Sequence, residues 1–280
     1  SGVFGYGREY EELFSLSKLG GIATKGTTIT PRFGNPSPRI AESPSGMLNS
    51  VGLQNPGIDA FIERELPNLL TKGTVILANI AGSTIEECVA IAEKLEQTQV
   101  HMIELNISCP NVKKGGAAFG VHCESAHAIT GAVTKKPLVV KLSPNVTDIT
   151  EIARAVETAG ADAVSLINTL LGMRIDIRTR RPILKNNVGG MSGPAIFPLA
   201  VRMVWQVANA VSIPVIGMGG ISTGADAIEM MMAGASAVQV GAAIFTDPYA
   251  PIHILKEMNQ ILDTYKIESV KEIVGSVKPW

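Results

Sequence analysis

Polar residues recur at one kind of place in this chain: directly after short runs of Val, Ile, Leu and Ala. Lys25 follows Gly21 to Thr24, Asn79 closes the run from Val75, Asn106 closes that from Met102, Lys141 follows Leu138 to Val140, and Asn168 with Thr169 follows Ala163 to Ile167. A lone Asn at such a position more often caps a helix or bonds loop backbone. Two lysines are different, because an ammonium at the end of an apolar run is costly to bury without an anionic partner. Together with three asparagines in equivalent positions they point to a single polar pocket.

Two further places have a specific physical use. Gly219 and Gly220 end one apolar run and precede Ser222 at a helix start, and Gly241 with Ala242 ends the next. Backbone N–H groups at such sites can close on a phosphate, whether of a phosphate-bearing substrate or of flavin mononucleotide, although glycine in a tight turn explains the pattern without a ligand. The segment Asn106-Ile107-Ser108-Cys109-Pro110-Asn111 runs into a Gly-rich stretch, 112–120, long enough to act as a lid over Cys109. A free thiol has a pKa of about 8.5, so modest nearby positive charge equips it as a proton acceptor. Cys88 reads as a buried thiol on a helix, and Cys123 as structural.

The elements that must position these residues alternate. Apolar runs at Gly21 to Thr24, Val75 to Asn79, Met102 to Asn106, Leu138 to Leu142, Ala163 to Ile167, Val215 to Met218 and Ala237 to Val240 suit strands buried on both faces. Helical patterns such as Thr84 to Glu96, Asp148 to Ala159 and Gly224 to Ala233 lie between them. That rhythm predicts a parallel α/β fold, and the absence of Gly-x-Gly-x-x-Gly after an early strand favours a (β/α)8 TIM barrel over a doubly wound sheet. In such barrels the C-terminal strand ends carry the site. The intervals from Thr24 to Val75 and from Asn168 to Pro214 have room for inserted hairpins or lids. Seven strands are legible where eight are needed, so the expectation is one domain over 1–280 lacking its first strand, which belongs just before Ser1.

The whole-chain properties narrow the function. With 46% apolar and 18% charged residues the chain can bury a sizeable core, and a net charge of −1 argues against nucleic-acid or anionic-membrane partners. Three cysteines without Cys-x-x-Cys spacing indicate no disulfide framework, zinc site or iron–sulfur site, and fit a reducing cytoplasm. No apolar run approaches the roughly 20 residues that cross a bilayer. His101, His122, His127 and His253 show no ligand spacing. Trp280 and the run Met230 to Met232 are expected to pack against the barrel or a subunit.

At this point the residues resemble a known family. The loop around Cys109 is similar to the catalytic loop of class 1 dihydroorotate dehydrogenases, and the likeness extends over nearly the whole chain: Ser1-Gly2, the run ending at Lys25-Gly26, Asn49 to Asn55, Lys141 to Asn145, Ile167-Asn168-Thr169, Gly189 to Gly193, Gly217 to Ile221, and Gly241-Ala242. Cys at 109, where class 2 enzymes carry Ser, together with the stretch Lys113 to Gly120, resembles class 1B. The resemblance implies a catalytic subunit that binds one FMN and oxidises dihydroorotate to orotate in pyrimidine (UMP) biosynthesis. It further implies a homodimer at the core of a heterotetramer, with electrons leaving to NAD through a separate subunit that carries FAD and a [2Fe-2S] cluster.

Carried over by position, Cys109 takes the proton from C5 of dihydroorotate while a hydride passes from C6 to flavin N5. Lys25 and the backbone near Gly52 and Leu53 meet the substrate carboxylate, and Asn49, Ser50, Val51, Asn106, Asn168 and Thr169 complete the substrate contacts. The implied cofactor contacts are Ser1, Gly2, Lys25, Gly26, Asn79, Asn106, Lys141, Ile167, Gly193, Gly219, Gly220, Gly241 and Ala242, with Lys141 stabilising the anionic reduced ring. No metal site is expected. Ala242 departs from the family's usual Thr, which removes one hydroxyl from the phosphate contacts. Three alternatives stay open: a fumarate-linked class 1A-like enzyme or a dihydropyrimidine-reducing relative; a flavin-free barrel acting on a sugar phosphate; and a truncated, non-catalytic phosphate-binding barrel.

Overall fold

The computed structural model describes residues 2–108, 119–133 and 136–280. Each of the seven apolar runs forms a strand: β1 (Gly21–Ala23), β2 (Val75–Ile80), β3 (Met102–Asn106), β4 (Leu138–Lys141), β5 (Ala163–Leu166), β6 (Val215–Met218) and β7 (Ala237–Gln239). All pair in parallel, in sequence order, within one sheet. The runs are apolar because both faces are covered. Ile76, Ile80, Ile103, Leu105, Val140, Val164 and Leu166 are buried and share one core with Ile91, Leu95, Ile129, Val156 and Val204 of the intervening helices.

The other face of the pleat carries Asn79, Glu104, Lys141 and Ser165, and it shows that the sheet is curled. Glu104 on β3 accepts hydrogen bonds from Asn79 on β2, Ser165 on β5 and Gln239 on β7. Strands β3 and β7 are four steps apart, about 19 Å in a flat sheet at ~4.8 Å per step. A side chain that reaches across in one hydrogen bond requires the sheet to close around it. Among the described residues β1 pairs only with β2 and β7 only with β6, and the eighth strand of the expected barrel is not among them.

Helix starts follow local chemistry. Thr84 caps Ile85–Glu96 by accepting from the Glu87 N–H at 3.2 Å, and Asp148 caps Ile149–Thr158 by accepting from the Thr150 N–H at 2.8 Å. Thr223 and Asp226 form a reciprocal capping box at the start of Gly224–Met232. The helix Phe197–Ala208 opens on a single 3-10 turn, Pro194–Ile196. Met230 and Met231 are buried as expected, whereas Trp280 is fully exposed and packs on nothing among the described residues.

Both long connections hold inserted strands, as their lengths predict; in the second, Ile175–Asp176 and Arg181–Pro182 pair as a short ribbon, and four others build one sheet over the barrel mouth. Ile40–Ser43, Gly46–Asn49, Gly189–Ser192 and Leu170–Gly172 form a four-stranded antiparallel sheet in that order, with Asn49 opposite Gly190. A Cβ on Gly190 would overlap Thr169 Oγ1, so the bare backbone there is what lets this sheet sit down on the end of β5. No helix among the described residues is long and apolar enough to cross a membrane.

Candidate functional site

The strand ends and the inserted sheet enclose a cavity of about 290 Å³. Its lining takes in Gly2, Lys25, Gly26, Asn49, Val51, Gly52, Leu53, Asn79, Asn106, Lys141, Ile167, Asn168, Thr169, Gly193, Gly219, Gly220, Gly241 and Ala242, all singled out from the sequence. Ser50 does not line it: the residue is buried and bonded through its backbone to Arg39 and Asn35. Cys109 and Ser1 lie outside the described residues.

Each side chain is held by a short local network. The β1 end continues as Thr24 and Thr27, whose N–H groups bond to the Leu77 and Asn79 carbonyls at 3.0 Å, which fixes Lys25 between them. A Cβ on Gly2 would lie 3.4 Å from Lys25 Nζ, so the ammonium lies against the Gly2 backbone. At the β3 end, Asn106 Oδ1 accepts from the Ser108 N–H at 3.1 Å and the Ser108 hydroxyl at 2.6 Å, while that hydroxyl accepts from Asn168 Nδ2. Asn168 Oδ1 in turn accepts from the Thr169 N–H at 2.8 Å. The chain of bonds fixes the amide orientations and leaves Asn106 Nδ2 as a donor with no protein acceptor among the described residues.

The turn at Gly52 and Leu53 is strained, with φ of 78° and 54°. It is braced by Asn55, which donates to the Leu53 carbonyl at 2.6 Å and accepts from the N–H groups of Thr28 and Gly57 at 3.1 and 2.9 Å. Asn55 is buried and has no place among the residues expected to touch a ligand; it holds the turn at Gly52 and Leu53.

At the far end of the cavity the N–H groups of Gly219, Gly220, Gly241 and Ala242 donate to no acceptor among the described residues. A Cβ on Gly220 would come within 2.9 Å of the Gly193 carbonyl and the Phe197 nitrogen, so the backbone of these two residues leaves no room for a side chain there. N–H groups left without acceptors at one end of a cavity are what a phosphate group requires. The middle of the cavity carries Lys141, only 4% exposed, and two acceptors without donors, Asn79 Oδ1 and Gln239 Oε1. A planar heterocycle with a phosphate tail fits this donor and acceptor set.

Sequence reasoning missed Glu104 and Gln239. The signal was present for the first: a carboxylate in the middle of a run buried on both faces must have partners. Burial raises the Glu104 carboxyl, while the Lys141 ammonium and, more weakly, the bonds from Ser165 and Asn79 are among the effects that lower it, and the group lies below its ordinary value, hence ionised. Cys88 shows the opposite case: burial, with Glu87 nearby, pushes its thiol up to about 12. Among the described residues no group of His, Cys, Asp and Glu side chains is placed to hold a metal.

Residues 1–262 match the family model described as dihydroorotate dehydrogenase. The chain belongs to the dihydroorotate dehydrogenase family. It is 55% identical over 279 residues to the protein of Geobacillus sp. (strain WCH70) named dihydroorotate dehydrogenase B (NAD(+)), catalytic subunit, covering 98% of this chain and 89% of that one. The proteins of the same name from Bacteroides thetaiotaomicron and Geotalea uraniireducens are also 55% identical, over 282 and 281 residues, covering 99% of this chain and 93% and 92% of theirs. As a dihydroorotate dehydrogenase family member the chain is an oxidoreductase, and its cavity stands at the strand ends where an α/β barrel carries its chemistry.

Proposed function

We propose that this chain is the FMN-binding catalytic subunit of an NAD-linked dihydroorotate dehydrogenase, oxidising dihydroorotate to orotate in pyrimidine synthesis. The observation that carries the reading is the cavity itself, which gathers Lys25, Lys141 and three asparagines from five strand ends around an undonated Gly-rich cradle. Relatives named as NAD(+)-linked catalytic subunits favour this over a fumarate-linked enzyme. Electrons then leave through a second subunit carrying FAD and a [2Fe-2S] cluster, in a cytoplasmic heterotetramer built on a dimer of this chain.

In this reading Gly219, Gly220, Gly241, Ala242 and Gly193 hold the FMN phosphate, with Gly26, Asn79, Ile167 and Lys141 along the ring and Ser1 and Gly2 at its edge. FMN, when bound, supplies the two-electron acceptor of the reaction. Lys25 and the turn at Gly52 and Leu53 bind the substrate carboxylate, and Asn49, Asn106, Asn168 and Thr169 hold its ring by hydrogen bonds, which orients a planar anion firmly. Cys109 follows Ser108 at the β3 end and takes the proton from C5 as the general base. Lys141 places fixed positive charge where negative charge develops.

The test is anaerobic mixing of the purified, yellow protein with dihydroorotate while the visible flavin absorbance is followed. Bleaching is expected. Retained absorbance in a flavin-loaded protein would overturn the substrate assignment, and a protein that takes up no FMN would overturn the cofactor.

A further inference from the structure

We infer that Glu104 is a positioning residue: its buried carboxylate fixes which way the amides of Asn79 and Gln239 face, and thereby makes the cavity floor specific for a ring edge that presents an N–H beside a carbonyl. The inference rests on the FMN reading above and deepens it.

Both oxygens of Glu104 are in use. Oε2 accepts from Asn79 Nδ2 at 2.5 Å, and Oε1 accepts from Ser165 Oγ at 2.8 Å and Gln239 Nε2 at 3.3 Å. An ionised carboxylate can only accept, so each neighbouring amide must turn its NH₂ toward it. Reversing either amide would set a carbonyl oxygen against the carboxylate in a buried site, where such repulsion is poorly screened. The orientation therefore follows from the charge, and the Lys141 ammonium is one of the groups that keeps that charge in place.

The consequence lies on the other side of each amide. Asn79 Oδ1 and Gln239 Oε1 are buried and have no donor, although both residues line the cavity. Buried acceptors without donors are expensive and uncommon in native proteins. A Cβ on Gly26 would come within 2.7 Å of Asn79 Oδ1, so a glycine keeps the approach to that oxygen clear. Two acceptors next to the donor Lys141 complement an imide edge, with N–H to the acceptors and C=O to the ammonium. The pyrimidine edge of a flavin has that pattern; a sugar phosphate has none of it.

The experiment is fluorescence titration of the flavin-stripped full chain with FMN and with N3-methyl-FMN, in which the imide hydrogen is replaced. The unaltered protein is expected to prefer FMN by about tenfold or more, the worth of one to two hydrogen bonds left unmade. In Glu104→Gln a neutral amide can both donate and accept, the neighbouring amides are free to turn, and the preference should fall to within about threefold. This ratio is a readout that a merely structural role would not move, because general loosening weakens both flavins together. Should Glu104→Gln fail to fold, Gln239→Leu removes one acceptor and only the longest of the three bonds to the carboxylate, at 3.3 Å, leaving those from Asn79 and Ser165 in place, and is expected to lose a large part of the preference. Equal binding of the two flavins by the unaltered protein, or an undiminished preference in the folded variant, overturns the inference and leaves the FMN reading standing. Failure to bind either flavin overturns the FMN reading and this inference with it.

Discussion

Replacing Gly220 by Ala tests the proposed phosphate cradle. Gly220 has φ of +77°, and an added Cβ would meet Phe197 Cβ at 2.8 Å and the Gly193 carbonyl and Phe197 nitrogen at 2.9 Å each. Two of these neighbours are backbone and the third is the root of a side chain, so no rotamer change relieves the contact. A left-handed alanine costs about 1–2 kcal/mol, and overpacking of this kind costs a further ~1–3 kcal/mol, for a combined loss of roughly 2–5 kcal/mol. Gly160→Ala is the control, because Gly160 has φ of +99° and nothing within 4 Å of its Cβ, so it reports the conformational cost alone. Urea midpoints of the two variants give the packing cost by difference. The second assay is the ratio of FMN to riboflavin affinity. Shifting one or two N–H groups of the proposed cradle away from a charged phosphate should narrow that ratio by about ten- to a hundredfold, while riboflavin binding stays within about threefold. A Gly220→Ala protein as stable as Gly160→Ala would refute the packing argument, and an unchanged ratio would refute the placement of the phosphate.

Cys109→Ser should slow flavin reduction by dihydroorotate severely at neutral pH and recover as pH rises, because a hydroxyl gives up its proton less readily than a thiol; superimposable pH profiles in stopped-flow would reject the base. Asn55→Ala leaves the Leu53 carbonyl and the Thr28 and Gly57 N–H groups without their partner, so a loss of about 2–4 kcal/mol is expected, with the substrate KM rising more than kcat falls; a KM unchanged in the destabilised protein would contradict its place behind the 52–53 turn. Glu104→Gln should lower stability at pH 7 by a few kcal/mol, and the gap should close in acid. The Glu104 carboxyl is held below its ordinary value of 4.5, so the stability its ionised form contributes is present above that value and is lost as pH falls through the lower folded value. A gap that persists or widens on acidification would show that the carboxylate is not the stabilising form.

Much of the barrel was legible because its strands are buried on both faces and therefore read as unbroken apolar runs. The runs from Met102 to Asn106 and from Val215 to Met218 coincide with β3 and β6, and the other five differ at one end by a single residue. Helix starts were legible where a side chain acts on its own backbone, as Thr84 and Asp148 do. The site residues at strand ends were legible for a topological reason: in a parallel barrel every C-terminal strand end opens on the same mouth, so polar residues that recur there must converge.

What the sequence could not supply is what depends on curvature and on contacts between distant segments. Gln239 and Glu104 are 135 positions apart and meet only because the sheet curls until β7 faces β3. Ser50 sits within a run of expected contacts, yet pairing of Gly46–Asn49 with Gly189–Ser192 and the bracing of the following turn by Asn55 leave it buried behind the cavity wall. Local sequence determined which residues stand at strand ends and which cap the helices, since those interactions span only a few residues. Tertiary structure alone decided which polar groups share one carboxylate and which acceptors are left facing the cavity without a donor, because a hydrogen bond across a barrel depends on the closure of the whole sheet and on no pattern within any one strand.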